Sequence, residues 1–139
     1  MSKVDECRNL RQHITEIVRL MSERDYMEVS ERFADNIIIV RPTGNPLSKN
    51  EWLNMMNSPN VNVFLNKLVS VNIVDVSDDC TMGYVCYTTH AKFTYNDIPN
   101  DDVAVFSAIF KKFDSDWKII FMQRSSGRKP SEGLPKFNY

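Results

Sequence analysis

The chain is poor in the residues that most often announce chemistry. Its 139 residues include only two histidines and three cysteines, and none has the spacing that holds zinc. An odd, irregularly spaced set of cysteines excludes a disulfide framework. Cys80 and Cys86 share one extended stretch, where six residues at ~3.3 Å each put them roughly 20 Å apart, so they cannot bridge each other. All three cysteines read as buried or half-buried thiols. Glycine is scarce too, at four residues, and Gly44 is followed by Asn45-Pro46, which excludes a phosphate loop ending in Gly-Lys-Ser/Thr. Asp75, Asp78 and Asp79 have the look of a calcium loop, but Cys80 stands where its glycine is needed and Cys86 where its bidentate glutamate is needed. They read as turn residues, and no metal or cofactor is expected.

Neither sign of charge dominates: 17 basic against 18 acidic residues give a net charge of −1. Sequence-independent nucleic-acid binding needs a concentrated basic surface, so no nucleic-acid partner is expected. Apolar runs such as 103–110 fall far short of the ~20 residues needed to span a bilayer. The first residues are polar where a signal peptide would be apolar. A cytoplasmic protein without a membrane partner is the expectation.

What is present is core material, with 42% hydrophobic residues and 11% aromatic ones. Val4, Cys7, Leu10, Ile14, Ile17, Val18 and Met21 recur at three- and four-residue steps and predict a helix over 4–23. His13 flanks that stripe by about 100° at 3.6 residues per turn and is expected at the surface. Asp25 and Glu28 suggest a capping box for a second, short helix ending near Ala34, with Tyr26, Val29 and Phe33 inward. A strand over 37–40 is stopped by Pro42, Gly44, Asn45 and Pro46. A third helix over 49–57 starts at the Ser48/Glu51 box, with Leu47 and Trp52 placed to staple it.

Beyond residue 61 the period becomes two, over 61–76, 80–95, 102–114 and 117–126, broken by acidic turns at 77–79, 96–101 and 114–116. Short connections force antiparallel neighbours. The fold class is therefore α+β, with three N-terminal helices in the concave face of a curved antiparallel sheet. Residues 1–127 form one domain and 128–139 an irregular C-terminal tail. In 101–114 both alternating sets are apolar, Val103, Val105 and Ile109 against Ala104, Phe106, Ala108 and Phe110. An antiparallel sheet with one wet face would show one polar set, so a homodimer through the outer sheet face is expected.

Two stretches, ERDYMEVSERFADNIIIVRPTGNPLSKNEW and WKIIFMQRSSGRKP, resemble the helix–strand–loop–helix opening and the last strand of the nuclear transport factor 2-like superfamily. This cone-shaped (cystatin-like) fold is shared by SnoaL-like cyclases, ketosteroid isomerases, scytalone dehydratase and the association domain of calcium/calmodulin-dependent kinase II. The last segment looks closest to the association domain, with one extra residue before its glycine. The resemblance implies that Arg124 faces the cone's cavity, where it can hold a carboxylate, and that the chain oligomerises.

Enzymes of that superfamily move protons with an Asp or His base towards an oxyanion held by Tyr or Asp. The bodies of the four long strands, taken as 61–74, 81–95, 103–113 and 117–126, contain no Asp or Glu. They hold Lys67, His90, Lys92, Lys111, Lys112, Lys118 and Arg124, so a cavity walled by them would suit an anion unless a helix or loop supplies an acid. His90 shares a face with Tyr84, Cys86, Thr88 and Lys92; it is read as hydrogen-bonded or half-exposed, with a pocket base as the alternative. Four strand residues, roughly 13 Å, exclude a Cys86–His90 dyad.

Arg41 ends the first strand near the expected mouth, either paired to a turn or facing a ligand. Arg124 is placed on a face with Ile120 and Met122. Tyr26, Trp52, Tyr87 and Phe106 are core residues or cavity liners. The leading expectation is a small-ligand-binding domain for a small organic acid or apolar ligand, touched by Arg124, Arg41, His90, Trp52 and Tyr26. The second is a SnoaL-like isomerase, cyclase or dehydratase with His90 as base and Tyr87 or Tyr84 as donor. The third is a pure assembly module.

Overall fold

A computed structural model describes residues 2–137. Helix α1 (Lys3–Ser22) starts where the Ser2 side chain accepts a hydrogen bond from the Asp5 N–H, and it buries Leu10, Ile14, Ile17, Val18 and Leu20. In α2 (Tyr26–Ser30) the Asp25 side chain accepts from the Glu28 N–H at 3.3 Å. Both halves of the box form at α3 (Lys49–Met56), where Ser48 Oγ accepts from the Glu51 N–H and Glu51 Oε1 from the Ser48 N–H.

The strands are β1 (Phe33–Val40), the short β2 (Pro46–Leu47), β3 (Val61–Val76), β4 (Met82–Tyr95), β5 (Ile98–Phe113) and β6 (Asp116–Arg124), in the order β2-β1-β6-β5-β4-β3. The meander from β3 to β6 is antiparallel as expected, but β1 runs parallel to β6. Helix α1 lies against β3 and β4, α3 against β1, β2 and β3, and α2 between the two long helices. One apolar core joins the helices to the concave sheet face, with Phe33, Phe110, Leu10, Ile14, Ile119, Val29 and Val85 among its fully buried side chains.

One connection departs from expectation, and it decides the site. Residues 96–101 were expected as a loop, yet β4 ends at Tyr95 and β5 begins at Ile98, with those two residues paired across the hairpin. Only Asn96 and Asp97 turn, at φ 51° and 65°. Two consecutive left-handed residues are the requirement of a two-residue type I′ hairpin, and Asn and Asp tolerate that conformation best after glycine. Pro99 is compatible with a strand here because the β5–β6 ladder runs only from Phe106 to Phe113, leaving Pro99 bonded on one side. β5 therefore contains Asp101 and Asp102, and the strand bodies are not free of carboxylates.

A register shift between Ile109 and Phe110 opposite β6 gives a second correction. It puts Ile119, rather than Ile120, on the buried face with Met122. Arg124 pairs with Phe106 on that same concave face. Beyond Arg124 the chain keeps to β5: Ser125 N donates to Val105 O, and Arg128 exchanges two 2.8 Å backbone bonds with Val103.

Candidate functional site

Adjacent residues on a strand point to opposite faces, so Asp101 and Asp102 serve different sides of the sheet. Each meets one of the residues singled out from sequence. On the concave side Arg124 Nη2 donates to Asp102 Oδ2 at 3.2 Å, with the two side chains 21% and 22% exposed. The guanidinium lies 5.8 Å from the centre of the Phe93 ring, within cation–π range, and donates a longer bond to Ser125 O. Gly127 explains how the chain closes over this pair: a Cβ there would come within 2.4 Å of Asp102 Cγ. Only a glycine lets the backbone pass so close to the carboxylate.

On the convex side His90 Nε2 and Asp101 Oδ1 are 2.5 Å apart. Lys67 faces His90 from β3, and Lys92 faces Asp101 from β4. His90 and Tyr87 therefore lie on opposite faces of β4, and the structure does not bring them together. Tyr87 is 2% exposed and stacks on Phe106 at 5.1 Å, and burial alone pushes its phenol well above the ordinary range. Tyr84 is on the His90 face but six residues along the strand, roughly 20 Å at ~3.3 Å each.

Trp52 and Tyr26 meet edge to face at 6.1 Å, and Trp52 meets Phe33 at 5.0 Å. Both belong to the buried core, and burial raises the Tyr26 phenol against the opposing pull of Arg24. Val40 of β1 pairs with Gln123 of β6, so Arg41 and Arg124 leave neighbouring strands at the same end of the sheet. Arg41 is turned back on its own loop, with Nε donating to Asn45 O at 3.2 Å and Nη1 at 4.0 Å from Met55 Sδ.

The other end of the concave face is closed around an acid that sequence reasoning passed over. Glu6, on α1, is 0% exposed. It pairs with Lys112 Nζ and accepts from Asn9 Nδ2 at 2.7 Å, while the same Lys112 sits 5.4 Å over the Trp117 ring. Burial pushes the Glu6 carboxyl upward. The bonds from Lys112 and Asn9 and the lysine's charge outweigh that and hold it below the usual carboxylate range. The Trp117 N–H, which among the described residues lacks a partner in hydrogen-bonding geometry, adds to that pull from close by.

His13, expected at the surface, is half-buried: its ring lies 5.9 Å from Phe110, and its Nδ1 is 2.9 Å from Arg32 Nη1. The β5–β6 hairpin and Arg32 wall over that flank of the helix, which a single-helix projection does not contain. No group of three or more potential metal-binding side chains occurs among the described residues.

The legible signal for Asp102 was Asn96-Asp97 between two alternating runs, a two-residue hairpin signature. For Glu6 it was its place four residues before Leu10, on the stripe itself.

Comparison with known proteins follows this geometry. The family profile described as "Protein of unknown function (DUF3804)" matches residues 10–131. No curated protein matches. An NTF2-like protein of unknown function from Prochlorococcus marinus is 29% identical, with 86% of this chain and 94% of that one covered at a TM-score of 0.74. A ketosteroid isomerase-like protein from Erwinia carotovora atroseptica is 14% identical over 83% and 91% of the chains, at 0.70. The CaMKII hub homology domain of Chlamydomonas reinhardtii is 16% identical over 88% and 98%, at 0.69. A six-stranded sheet with helices on its concave side, a profile match over most of the length and these neighbours agree: the chain belongs to the DUF3804 family and has the NTF2-like fold.

Proposed function

We propose that this chain is a homodimeric small-ligand-binding domain whose concave mouth takes a small organic anion, with Arg124 as the anion's partner and Asp102 as the group it displaces. The observation that carries the reading is the setting of Arg124. It lies on the concave face about a fifth exposed, above Phe93, and one carboxylate oxygen holds it. A guanidinium has five N–H donors and pairs best with a carboxylate through two parallel bonds. Asp102, anchored on β5, supplies one. An incoming carboxylate free to align can supply two, and Arg41 leaves the adjacent strand at the same end to add positive charge. Asp102 satisfies one guanidinium donor through a single 3.2 Å contact, so it is a weaker competitor than a carboxylate that makes two. Proton-transfer catalysis finds less support, because His90 and Tyr87 serve opposite faces.

The dimer half of the reading rests on one row across the convex face. Ile38, Phe121, Ile109 and Tyr84 are register partners on four successive strands, and Ile38, Ile109 and Tyr84 are 50%, 37% and 45% exposed. A continuous exposed apolar row marks an interaction surface, and two-fold pairing is its simplest closed solution. Hub and association domains among the structural neighbours are in keeping with self-association.

Thermal-shift screening against small organic acids tests the anion site, since a ligand of the folded state alone raises its stability. The expected result is an acid that stabilises the wild type, fails on Arg124→Gln and acts more strongly on Asp102→Asn. If no acid stabilises either the wild type or Asp102→Asn, the reading is wrong. Light scattering across concentrations tests the dimer, with Ile109→Lys expected to yield monomer.

A further inference from the structure

Away from the Arg124 mouth, a hollow of about 280 Å³ opens between α1, the end of α2 and the β5–β6 hairpin. Two cations, Arg32 and Lys118, and three carboxylates, Glu28, Glu31 and Asp116, line it with His13 and Trp117. Opposite charges sharing a hollow normally close on one another. Here, among the described residues, none of these five takes part in an ion pair. The half-buried Arg32 contacts only an imidazole nitrogen, donating to His13 Nδ1 at 2.9 Å. Lys118 donates to a backbone carbonyl, that of Glu31, at 2.8 Å. Burial, and then the charge of Arg32, hold His13 below its ordinary value against the pull of Asp116, so its neutral ring serves as Arg32's acceptor. The nearest acid to feel the Arg32 charge from α1, Glu16, is already bonded to Arg19.

A half-buried guanidinium without a counter-charge of its own is poorly satisfied, and Glu28, Glu31 and Asp116, exposed to water around it, give the hollow a negative rim. A simple anion entering the hollow would satisfy Arg32 but meet three acids. A simple amine would satisfy the acids but meet two cations. We propose that the hollow binds a small zwitterion of the free α-amino acid class, its carboxylate on Arg32 with Lys118 alongside, its ammonium group towards Asp116 and the α2 acids. The volume lies just under the usual range for drug-sized ligands, which suits a molecule of a few heavy atoms. The proposal does not depend on the Arg124 reading, because it uses other residues.

NMR of the full chain tests it. The two tryptophans give two indole N–H signals, with Trp117 reporting on the hollow and Trp52 serving as an internal control. The probes are L-alanine, propionate and isopropylamine, matched in size and differing in charge. The expected result is a saturable shift of the Trp117 signal with L-alanine alone, retained in Arg124→Gln and weakened at least about tenfold in Arg32→Gln. Asp116→Asn, which leaves the His13–Arg32 hydrogen bond itself in place, is a second variant that should weaken L-alanine should Arg32→Gln fail to fold. A shift with propionate equal to that with L-alanine overturns the zwitterion. No saturable shift with any probe overturns the site, and so does undiminished L-alanine binding in folded Arg32→Gln or Asp116→Asn.

Discussion

The concave face of the sheet ends in a carboxylate–cation pair at each extremity, and the two pairs differ in surroundings more than in chemistry. At the closed end Glu6 is fully buried, with Lys112 and Asn9 both bonded to it. At the open end Asp102 holds Arg124 by one contact while both remain about a fifth exposed. A desolvated carboxylate with several donors is fixed, since losing any partner leaves a buried charge. A carboxylate with one donor and access to water can be replaced. The charge pair is therefore fixed at the closed end, and the proposed anion site would make it exchangeable at the open one.

The largest expected difference is in stability. Replacing Lys112 by Ala strands the fully buried Glu6 carboxylate, and breaking a buried pair from that side costs about 3–5 kcal/mol. Replacing Asp102 by Asn should cost less, about 1–2 kcal/mol, because the amide oxygen can still accept from Arg124 and neither group is fully buried. Urea denaturation at neutral pH measures both, and equal losses would erase the distinction. Acid separates the ends further. The folded Glu6 carboxyl sits below its unfolded value, so its contribution is present at neutral pH and declines as pH falls from the unfolded carboxyl value, about 4.3, through the lower folded one. In Glu6→Gln that acid limb should flatten, whereas in Asp102→Asn it should persist.

Two glycines sharpen the same contrast at smaller magnitude. At the closed end a Cβ on Gly83 would meet Leu10 Cδ1 at 2.7 Å, Val76 Cγ1 at 2.9 Å and the Asp75 carbonyl oxygen at 3.0 Å. Two of those are core side chains and one is backbone, so Gly83→Ala should cost about 1–3 kcal/mol by overpacking. At the open end a Cβ on Gly127 meets only Asp102 side-chain atoms among its three nearest neighbours, from 2.4 Å outward. Gly127→Ala should push that carboxylate off Arg124 and copy the stronger acid response expected of Asp102→Asn. Because Asp102 Cβ, held by β5, would stand only 2.7 Å from the new methyl, it should also cost about 1–3 kcal/mol. If Gly127→Ala unfolds the chain instead, the open end is as rigid as the closed one.

The long helix α1, helix α3, the long strands and the core were legible because periodicity and capping residues report local geometry, and Ser48/Glu51 formed its box as expected. The second helix was not, since α2 stops at Ser30, only the Asp25 half of its box forms, and β1 already begins at Phe33 where helix was expected to Ala34. Arg124 stood out among the strand cations, and the resemblance added that it faces the concave side, where it pairs with Phe106. Asp101 and Asp102 were hidden by Pro99, a residue that argues against a strand unless one side of that strand is unpaired. That condition depends on where β6 ends, which no local pattern contains. Glu6 was hidden for a related reason. A glutamate at a helix start reads as a first-turn acid favoured by the dipole, and only the arrival of Lys112 from more than a hundred residues away makes it a core residue. In each case the missing information was long-range, as was the hairpin that walls over His13.

The smallest expected effect lies on the convex face, and it tests where the proposed dimer interface would end. The His90–Asp101 pair has side chains 26% and 49% exposed, so Asp101→Asn should cost about 0.2–1 kcal/mol. His90 lies six residues along β4 from Tyr84, roughly 20 Å at ~3.3 Å per residue. A dimer built on the row from Ile38 to Tyr84 should therefore leave this pair outside its core. Asp101→Asn should then leave the dissociation constant measured by sedimentation unchanged, while Ile109→Lys weakens it. Should Asp101→Asn weaken association as well, the interface must reach the hairpin end of β4 and β5. The carboxylates at 101 and 102 would then serve the partner on one face and the mouth on the other, and occupancy of Arg124 would be coupled through a single strand to the dimer.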